Sequence, residues 1–516
     1  MLQDLLATAV KEYPQKTAIV HKDLRLSYSD LYKQVSALGR GLSSLGVKQS
    51  DCVALLLPNC PEFVISFHAV INLNAVILPL NHLFKEEEIN YYITDSHAKV
   101  VITDAQRAEM CRRFIAKTDK AIKLIVIDAK HPSWTHLQDL MLPAENGGDE
   151  ATSPNDVTHA AGDAIYQYSS GSTGRPKRVN RSQSNLYHEV TSFAATVNLT
   201  PDDNILCLVP LYHAHGLGNC LLAATCNGAT LVLLEQPLDK EGAPIEVPFV
   251  FRCPRVLELI QQEKATILPG VPYIFKALAQ TPTKSPVDLS TLRLCFSAGN
   301  FLPKDVFDKF WQRFSIPVRQ LYGCTEAGSV AINVNGEPQE TWNSVGRPVN
   351  NVEIRIVNDE GLDLPDGEIG EVVIKSQALT SGYHEMPELN QQAFKNGTFL
   401  TGDLGKLDED KQLYITGRKK ILIDTGGRKV DPIEIEDLLI THPEVKEAVV
   451  VGVKDPDAGE VVKAVIVPKV LGNSEERSIS TYCKARLAEF KVPKIIEFRD
   501  EIPKSPLGKV LRKELV

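Results

Sequence analysis

Over the first 150 residues, two hydrophobic patterns alternate: the three- and four-residue spacing of a helix and the short apolar run of a buried strand. Between Leu31 and Leu45, leucine and valine recur at steps of three and four residues, which places them on one face of a helix. Ser29 is placed to cap the start of this helix, and Gly46 is placed to end it. The uninterrupted apolar run Val53–Leu57 follows and is bounded by Pro58, as is typical of a buried strand. These patterns predict a helix followed by a strand.

The same cycle recurs along the chain. Further predicted pairs of helix and strand are Phe63–Leu73 with Ala75–Leu78, Lys85–Thr94 with Val100–Ile102, and Cys220–Asn227 with Thr230–Leu234. Strands that alternate with helices form parallel sheets flanked by helices. After Val345 the pattern changes to short strands with glycine-rich turns, such as Val352–Val357 and Glu371–Ile374. We therefore expect an α/β fold followed by a region of short strands.

Charge narrows the possible classes of function. The chain has 516 residues and carries 56 Lys and Arg against 65 Asp and Glu, a formal net charge of −9. This length indicates about three structural units of roughly 150 residues. A dedicated nucleic-acid-binding protein usually shows a strong basic excess. The net negative charge therefore argues against nucleic-acid binding as the function of this chain. The last 99 residues, from Arg418, hold 19 basic and 17 acidic side chains. The charge changes sign there, which is consistent with a separate C-terminal domain.

The cysteines and the N-terminus indicate the compartment. The ten cysteines show no C-x-x-C pair and no regular spacing, which predicts reduced thiols rather than a disulfide framework or a zinc site. The N-terminal segment lacks the basic start followed by an apolar core that is typical of a secretory signal. Polar residues and a proline interrupt the longest apolar stretch, Phe63–Leu80, whereas a membrane span needs about 18 apolar residues. We expect a cytoplasmic protein without a membrane span.

The stretch Tyr168–Lys177, YSSGSTGRPK, follows a strand-like run and concentrates two glycines, four Ser and Thr hydroxyls and one lysine. Small residues let backbone N–H groups approach phosphate oxygens, and hydroxyls and an ammonium add further donors. The stretch is not a Walker A loop, because G-x-x-x-x-G-K-[ST] is absent. A phosphate-binding loop and a Gly/Ser-rich turn with a surface lysine both remain open at this point.

Two further segments carry candidate nucleotide-binding groups. Gln320–Gly328, QLYGCTEAG, offers the ring of Tyr322 for base stacking and the carboxylate of Glu326 as a hard oxygen ligand for a phosphate-bound Mg²⁺. In the segment TFLTGD, Asp403 follows a glycine at a strand end, which suits hydrogen bonding to ribose hydroxyls. Each segment, taken alone, is better explained by a turn with a surface carboxylate.

Two more segments lie near the C-terminus, Gly417–Glu436 and Pro503–Leu515, and the second places Lys509 after a glycine turn. A lysine so close to a terminus is, by itself, normally a solvated charge. Together, however, the order and spacing of the five segments resemble the AMP-forming acyl-CoA synthetase family, also called the adenylate-forming superfamily. The resemblance spans nearly the whole chain, and it is closest to 4-coumarate–CoA ligase-like and fatty acyl-CoA ligases.

The resemblance implies how ATP is bound. The residues expected at the β- and γ-phosphates are Ser169, Ser170, Gly171, Ser172, Thr173, Gly174 and Lys177. Thr325 matches the contact to the α-phosphate, and Glu326 matches the Mg²⁺ ligand. Tyr322 and Gly323 match the adenine site.

The resemblance also implies a ribose site and an acyl site. Asp403 matches the residue that holds both ribose hydroxyls, and Arg418 matches the residue that supports them. In Pro210–Gly216, PLYHAHG, the candidate beside the substrate carboxylate is His213, which would otherwise be a buried, hydrogen-bonded histidine. Gly299 matches the segment that lines the pocket floor and the adenine edge.

The resemblance further implies two domains and two half-reactions. Lys509 matches the adenylation lysine, Lys420 the hinge residue, and Gly427 the loop that lines the pantetheine tunnel after a large rotation. The expected fold is α/β, with a large N-terminal domain of flanked mixed or parallel sheets, a β-barrel-like subdomain, and a small mobile α+β C-terminal domain. The expected boundaries are 1–417 for the N-terminal AMP-binding domain and 418–516 for the C-terminal domain.

The implied activity is the ATP-dependent conversion of a fatty or aryl acid to acyl-AMP and then to acyl-CoA, with ATP, Mg²⁺ and coenzyme A. Transfer to the phosphopantetheine of an acyl carrier protein is the alternative. A nucleotide-binding regulator without catalysis is disfavoured by the presence of Glu326, Asp403, Arg418 and Lys509. A luciferase-like oxygenase shares every motif, and light emission with ATP and a luciferin would distinguish it.

Three positions depart from the usual family pattern. Arg178 stands where a glycine commonly follows the loop lysine, and Gln183 stands where histidine is frequent. Leu321 stands where many fatty acyl and aryl ligases carry glycine, so it is expected to shorten or bend the acyl tunnel. The expected pocket positions hold no acid that would pair with the ammonium of an amino acid, which favours a fatty or aryl acid.

Overall fold

A computed structural model describes residues 1–118, 121–142, 162–169, 176–283, 287–419, 423–425, 428–430, 432–455, 459–470, 475–487, 489–504 and 510–516. The chain divides into two compact units. The first unit comprises Met1–Arg355, Val373–Leu400 and Leu407–Tyr414. The second unit comprises Ile356–Val372, Thr401–Lys406 and Ile415–Val516. The domain boundary expected at Arg418 stays a prediction.

The strands fall into four sheets. Those of the two large sheets are β1 Thr17–His21, β2 Leu24–Ser27, β3 Cys52–Leu56, β4 Val76–Pro79, β5 Val100–Thr103, β6 Lys123–Val126, β7 Thr135–His136, β8 Asp163–Ser169, β9 Lys177–Ser182, β10 Asn204–Cys207, β11 Thr230–Leu233, β12 Ile267–Gly270, β13 Leu294–Ser297, β14 Val318–Cys324, β15 Gly328–Ile332 and β16 Arg347–Pro348. Those of the two smaller sheets are β17 Val352–Val357, β18 Gly370–Ser376, β19 Phe394–Lys395, β20 Thr398–Leu407, β21 Leu413–Arg418, β22 Ile423–Thr425, β23 Arg428–Val430, β24 Val445–Asp455, β25 Gly459–Pro468 and β26 Ile495–Phe498.

Helices alternate with these strands over most of the first unit. The α-helices are α1 Leu2–Glu12, α2 Tyr28–Ser44, α3 Pro61–Asn72, α4 Glu86–Ser96, α5 Ala105–Ile115, α6 Leu137–Leu140, α7 Gln183–Thr196, α8 Ala214–Gly216, α9 Ala223–Asn227, α10 Cys253–Gln262, α11 Pro272–Gln280, α12 Lys304–Phe314, α13 Pro387–Ala393, α14 Pro432–Ile440 and α15 Glu476–Lys484. A π-helical segment, Leu217–Leu222, joins α8 to α9. Among the described residues, no helix is long and apolar enough to cross a bilayer.

The two large sheets are mainly parallel. The nine-stranded sheet has the order β16-β15-β14-β13-β12-β10-β11-β1-β2, and its six strands from β14 to β1 in this order run parallel. The seven-stranded sheet has the order β7-β6-β5-β3-β4-β8-β9, with β9 antiparallel to β8 at its edge. Every residue of β3, β4, β5, β11, β12 and β13 is buried. Strands covered on both faces read as continuous apolar runs, which is why β3, β4, β5 and β11 were predicted from the sequence.

The two smaller sheets complete the fold. One has the order β17-β18-β20-β19, with β21 beside β20. The other lies in the second unit in the order β23-β22-β25-β24, with β26 beside β25. Ile435 of α14, Ile466 of β25 and Ile479 of α15 share a buried core of the second unit. The predicted fold class, with its large α/β part, small barrel-like sheet and small α+β part, is confirmed.

The predicted elements are present, but one helix cap was predicted wrongly. β17 coincides with the predicted strand Val352–Val357, and Gly46 follows α2 with φ +90°. The residue that caps α2 is Ser27, whose Oγ accepts from the backbone N–H of Asp30 at 3.1 Å, and not Ser29. β2 continues to Ser27 because this residue pairs with Thr17 of β1, so the helix begins directly afterwards.

Candidate active site

The predicted acyl and adenine residues lie at one edge of the nine-stranded sheet. β10, β12, β13 and β14 run parallel, and their carboxyl ends share that edge. His213 follows the end of β10, Gly299 follows the end of β13, and Tyr322 with Gly323 lies at the end of β14. The carboxyl edge of a parallel sheet is the usual place for a ligand in α/β folds. The topology therefore brings these four predicted residues to one edge.

His213, the predicted residue beside the substrate carboxylate, belongs to the first unit. It precedes α8, and its Nδ1 accepts a hydrogen bond from the backbone N–H of His215 at 3.3 Å. The side chain is solvent-accessible. Nevertheless, desolvation by the surrounding protein lowers the pKa of His213 below its usual value. A lowered pKa favours the neutral form of the imidazole.

A buried chain of hydrogen-bonded polar groups includes His215, two residues after His213, and was not predicted from the sequence. His215 Nε2 lies 3.1 Å from the carbonyl oxygen of Gly270, which can only accept, so Nε2 carries the proton. His215 Nδ1 then accepts from Asn219 Nδ2 at 3.0 Å, and Asn219 Oδ1 accepts from Ser329 Oγ at 2.8 Å. Burial, and then the nearby His213, lower the pKa of His215 to about 4. The second histidine of PLYHAHG was its only sequence signal.

The turn between β14 and β15 carries Thr325 and Glu326. Gly328 ends this turn with φ +71°, and a Cβ there would meet the Glu189 carboxylate, so the position requires glycine. Thr325 is half-buried, whereas Glu326 is buried and its Oε1 accepts a hydrogen bond from Tyr383 at 2.7 Å. Tyr383 was not predicted as a site residue, because it lies outside the five segments that the family resemblance rests on.

β8 and β9 form the hairpin that flanks the candidate phosphate loop. Ser169 at the end of β8 pairs with Lys177 at the start of β9, and both side chains are half-buried. The loop between them, with the predicted contacts Ser170, Gly171, Ser172, Thr173 and Gly174, lies outside the described residues. The hairpin therefore places the first and last residues of the predicted phosphate site beside each other.

The two departures next to this hairpin, Arg178 and Gln183, are both buried and paired. Arg178 donates to the backbone carbonyl of Asp95 at 2.7 Å, and its guanidinium lies 4.7 Å from the ring centroid of Tyr166. Gln183 Nε2 donates to Asn74 Oδ1 at 2.9 Å. Arg178 joins the hairpin to α4, and Gln183 joins the start of α7 to the turn after α3, so both side chains have a packing role that accounts for their presence.

The predicted ribose residues belong to the second unit. Asp403 is buried and forms an ion pair with Arg418, whose side chain is half-exposed. The backbone N–H of Asp403 donates to Thr401 Oγ1 at 3.0 Å, and that of Gly402 donates to Glu371 Oε1 at 3.0 Å. The structure therefore pairs the two residues that the sequence analysis assigned to the ribose. The other predicted residues of the second unit, Lys420, Gly427 and Lys509, lie outside the described residues.

Comparison with known proteins defines the class. Residues 6–384 match the family described as AMP-binding enzyme, and residues 434–509 match the AMP-binding enzyme C-terminal domain. The chain belongs to this family of adenylate-forming enzymes.

Individual relatives specify the reaction. The chain is 32% identical to oxalate–CoA ligase of Arabidopsis thaliana, over 99% of this chain and 97% of the relative. It is 31% identical to 4-coumarate–CoA ligase 3 of Oryza sativa subsp. japonica, over 100% of this chain and 91% of the relative. The crystal structure of ATP-bound MatB from Rhodopseudomonas palustris superimposes with a TM-score of 0.85 at 28% identity, over 100% of this chain and 98% of that one. The chain is an AMP-forming acid–thiol ligase with ATP and CoA as substrates, and transfer to a carrier protein is not favoured.

Proposed function

We propose that this chain activates a fatty or aryl monocarboxylic acid and transfers the acyl group to CoA. The observation that carries the proposal is the chemistry of the expected acyl pocket. Its positions are mainly apolar or aromatic, without Arg, Lys, Asp or Glu: Tyr212, His213, Ala214, Ala298, Gly299 and Leu321. Desolvation lowers the pKa of His213, which favours the uncharged imidazole. A second carboxylate or an α-ammonium on the substrate would find no opposite charge at these positions.

The proposed first half-reaction needs positioned charge rather than a general base. The acid's carboxylate attacks the α-phosphorus of ATP, the bond to the bridging oxygen of the β-phosphate breaks, and pyrophosphate leaves. Ser169–Gly174 and Lys177 hold the triphosphate, Thr325 contacts the α-phosphate, and Lys509 bridges the carboxylate and the α-phosphate. Negative charge accumulates between these groups, so fixed donors and cations lower the barrier.

Magnesium fits the same site. Mg²⁺ is usually held by one or two carboxylates together with substrate phosphates and water. Glu326 supplies a buried carboxylate next to Thr325 in the β14–β15 turn. When bound, the ion neutralises phosphate charge during nucleotidyl transfer. Tyr322, Gly323 and Gly299 would contact the adenine, while Asp403 and Arg418 would hold the ribose.

The proposed second half-reaction transfers the acyl group. The thiol of CoA gives up its proton to solvent as its sulfur attacks the acyl carbonyl of acyl-AMP, and AMP leaves with the electron pair of the broken C–O bond. Lys420 would act as the hinge for the change between the two half-reactions, and Gly427 would line the pantetheine tunnel. Domain closure that assembles different active sites in turn is an established way to separate two steps.

Pyrophosphate release from ATP, measured with fatty, aryl, dicarboxylic and amino acids, each with and without CoA, tests this proposal. We expect release with a fatty or aryl acid, and continued turnover only when CoA is present. Preference for a dicarboxylic or amino acid would contradict the proposed substrate class. A single turnover that CoA does not extend would instead indicate a different thiol acceptor.

Leu321 is expected to limit the length of the acid. Its side chain is 6% exposed and packs in the main core at the carboxyl edge of the nine-stranded sheet. Leu321→Ala removes three carbon atoms there, so we expect the ratio of kcat/KM for longer over shorter acids to rise by about tenfold, the value of one or two buried methylenes. Leu278→Ala, in α11, is the matched control because this leucine is also fully buried in the same core. An equal change in both variants would contradict the role of Leu321.

A further inference from the structure

Tyr383 contacts two of the residues that the proposed function uses. Its hydroxyl donates to Glu326 Oε1 at 2.7 Å, and the Nζ of Lys177 lies 4.8 Å from the centroid of its ring. Tyr383 is 6% exposed. All three residues belong to the first unit. One buried side chain therefore contacts both the proposed metal ligand and the lysine at the base of the phosphate hairpin.

The backbone of Tyr383 is held on both sides. Asn390 Oδ1 accepts from the backbone N–H of Tyr383 at 2.7 Å, and Asn390 Nδ2 donates to its carbonyl oxygen at 2.8 Å. Gly382, directly before it, adopts φ +147°, and a Cβ there would lie 2.9 Å from the amide of Asn390. A side chain at position 382 would displace this amide, so the glycine and the asparagine together define where the ring of Tyr383 lies.

The segment that contains Tyr383 also joins the β14–β15 turn, which carries Glu326, to β9, which begins at Lys177. The backbone N–H of Thr380 donates to the carbonyl oxygen of Glu326 at 2.8 Å, and Thr380 Oγ1 donates to the carbonyl oxygen of Asn180 in β9 at 2.5 Å. Tyr383 itself forms a β-bridge with Val179 of β9. These contacts link the β14–β15 turn to the strand that begins at Lys177. The segment therefore helps to set the distance between Glu326 and Lys177.

The chemistry of these contacts suits orientation of a metal ligand. An ionised carboxylate has two oxygens and about four acceptor sites, so Glu326 can accept from Tyr383 and still ligate a cation. A hydrogen bond to one oxygen fixes the plane of the carboxylate, as outer partners of metal-ligating groups commonly do. A cation over the face of an aromatic ring is attracted by its quadrupole, which restrains the Lys177 ammonium.

We propose that Tyr383 is a positioning residue that sets Glu326 and Lys177 for one metal–nucleotide complex. Its hydroxyl orients the Glu326 carboxylate toward the cation of Mg²⁺·ATP, and its ring restrains the Lys177 ammonium beside the triphosphate. The inference rests on the proposed role of Glu326 as a metal ligand. It assigns Tyr383 two separable functions, because the hydroxyl serves the metal and the ring serves the phosphate.

Equilibrium binding separates the two functions without measuring turnover. The full-length protein is titrated with Mn²⁺·ATP, with the bound metal followed by electron paramagnetic resonance, and with ATP in EDTA. Tyr383→Phe removes only the hydroxyl, so we expect affinity for Mn²⁺·ATP to fall about 10- to 100-fold. Its affinity for metal-free ATP should stay within about twofold, because the ring remains beneath Lys177. Tyr383→Leu, which removes both groups, should weaken both affinities.

Three further variants make the outcomes distinct. Tyr28→Phe removes another buried tyrosine hydroxyl, which donates to the carbonyl oxygens of Ala224 and Ala229, and should leave both affinities unchanged. Asn390→Ala loosens the backbone of Tyr383 without removing its hydroxyl, and should shift Mn²⁺·ATP affinity in the same direction even if Tyr383→Phe folds poorly. Glu326→Gln tests the underlying metal assignment.

Loss of Mn²⁺·ATP affinity in Glu326→Gln, with wild-type affinity in folded Tyr383→Phe and Asn390→Ala, would overturn the role of Tyr383 and leave the proposed function intact. Unchanged affinity in Glu326→Gln as well would overturn the metal assignment and this inference with it. An equal loss in Tyr28→Phe and Tyr383→Phe would show a general effect on stability and would also overturn the inference.

Discussion

Lys509→Ala is expected to lower the rate of acyl-adenylate formation by about 10²- to 10³-fold, the usual cost of removing one donor that stabilises transition-state charge. The proposed role places the ammonium between the attacking carboxylate and the α-phosphate, where both groups are anionic. Without the cation, the two anions repel each other as the new P–O bond forms. Pyrophosphate release with the preferred acid, followed in the first turnover, measures this step.

The second half-reaction separates this role from a general defect. Thioester formation from chemically prepared acyl-AMP needs no cation at the α-phosphate of ATP, so Lys509→Ala should retain it within about twofold. Lys513, exposed and four residues further along the chain, provides the matched control. Wild-type adenylation by Lys509→Ala, or equal losses in Lys509→Ala and Lys513→Ala, would exclude the proposed role of Lys509.

Glu189→Ala is expected to destabilise the first unit by about 3–5 kcal/mol, the usual cost of removing one member of a buried ion pair. Arg181 Nη1 lies 2.6 Å from Glu189 Oε2, and the two side chains are 1% and 3% exposed. Arg181 Nη2 also donates to the carbonyl oxygen of Ala378 at 3.0 Å. The pair therefore ties β9 and α7 to the segment that leads to Tyr383, and its loss leaves a buried guanidinium without its carboxylate.

The free energy of unfolding, measured with chemical denaturant, tests this expectation. Glu109→Ala removes the partner of Arg112 in a solvent-exposed pair at 2.7 Å, and we expect it to cost less than about 1 kcal/mol. The double variant Arg181→Met, Glu189→Leu should recover much of the loss, because it removes both buried charges together. A cost for Glu189→Ala no larger than that for Glu109→Ala would contradict the energetic account of the buried pair.

Local patterns predicted strands such as β3, β4, β5 and β11 because these strands are buried on both faces. For example, β11 begins where an uninterrupted apolar run begins, and β17 begins where an alternating apolar run begins. The start of α2 was misplaced by two residues, because Ser27 and Ser29 have the same intrinsic capping chemistry. Pairing of Ser27 with β1 decided between them, and such pairing depends on a strand ten residues earlier in the chain.

Candidate site residues could be proposed from the sequence where the chemistry lies within one short segment. Lys177, Glu326 and Asp403 each stand in a segment whose composition suits phosphate, metal or ribose. Tyr383 was not predictable, because its proposed role depends on contacts with Glu326 and Lys177, which lie 57 and 206 positions earlier in the chain. The chain Gly270–His215–Asn219–Ser329 was hidden for the same reason, since its members lie on four different elements.

The sequence by itself determined the family, the α/β fold class and the short segments that we propose bind nucleotide, because these depend on residue type, spacing and hydrophobic period. Only the tertiary structure decided that Arg178 is a buried partner of Asp95, that Ser27 caps α2, and that Tyr383 joins Glu326 to Lys177. These contacts join residues from separate elements. Their existence is decided when sheets and turns pack against each other, which no local pattern along the chain records.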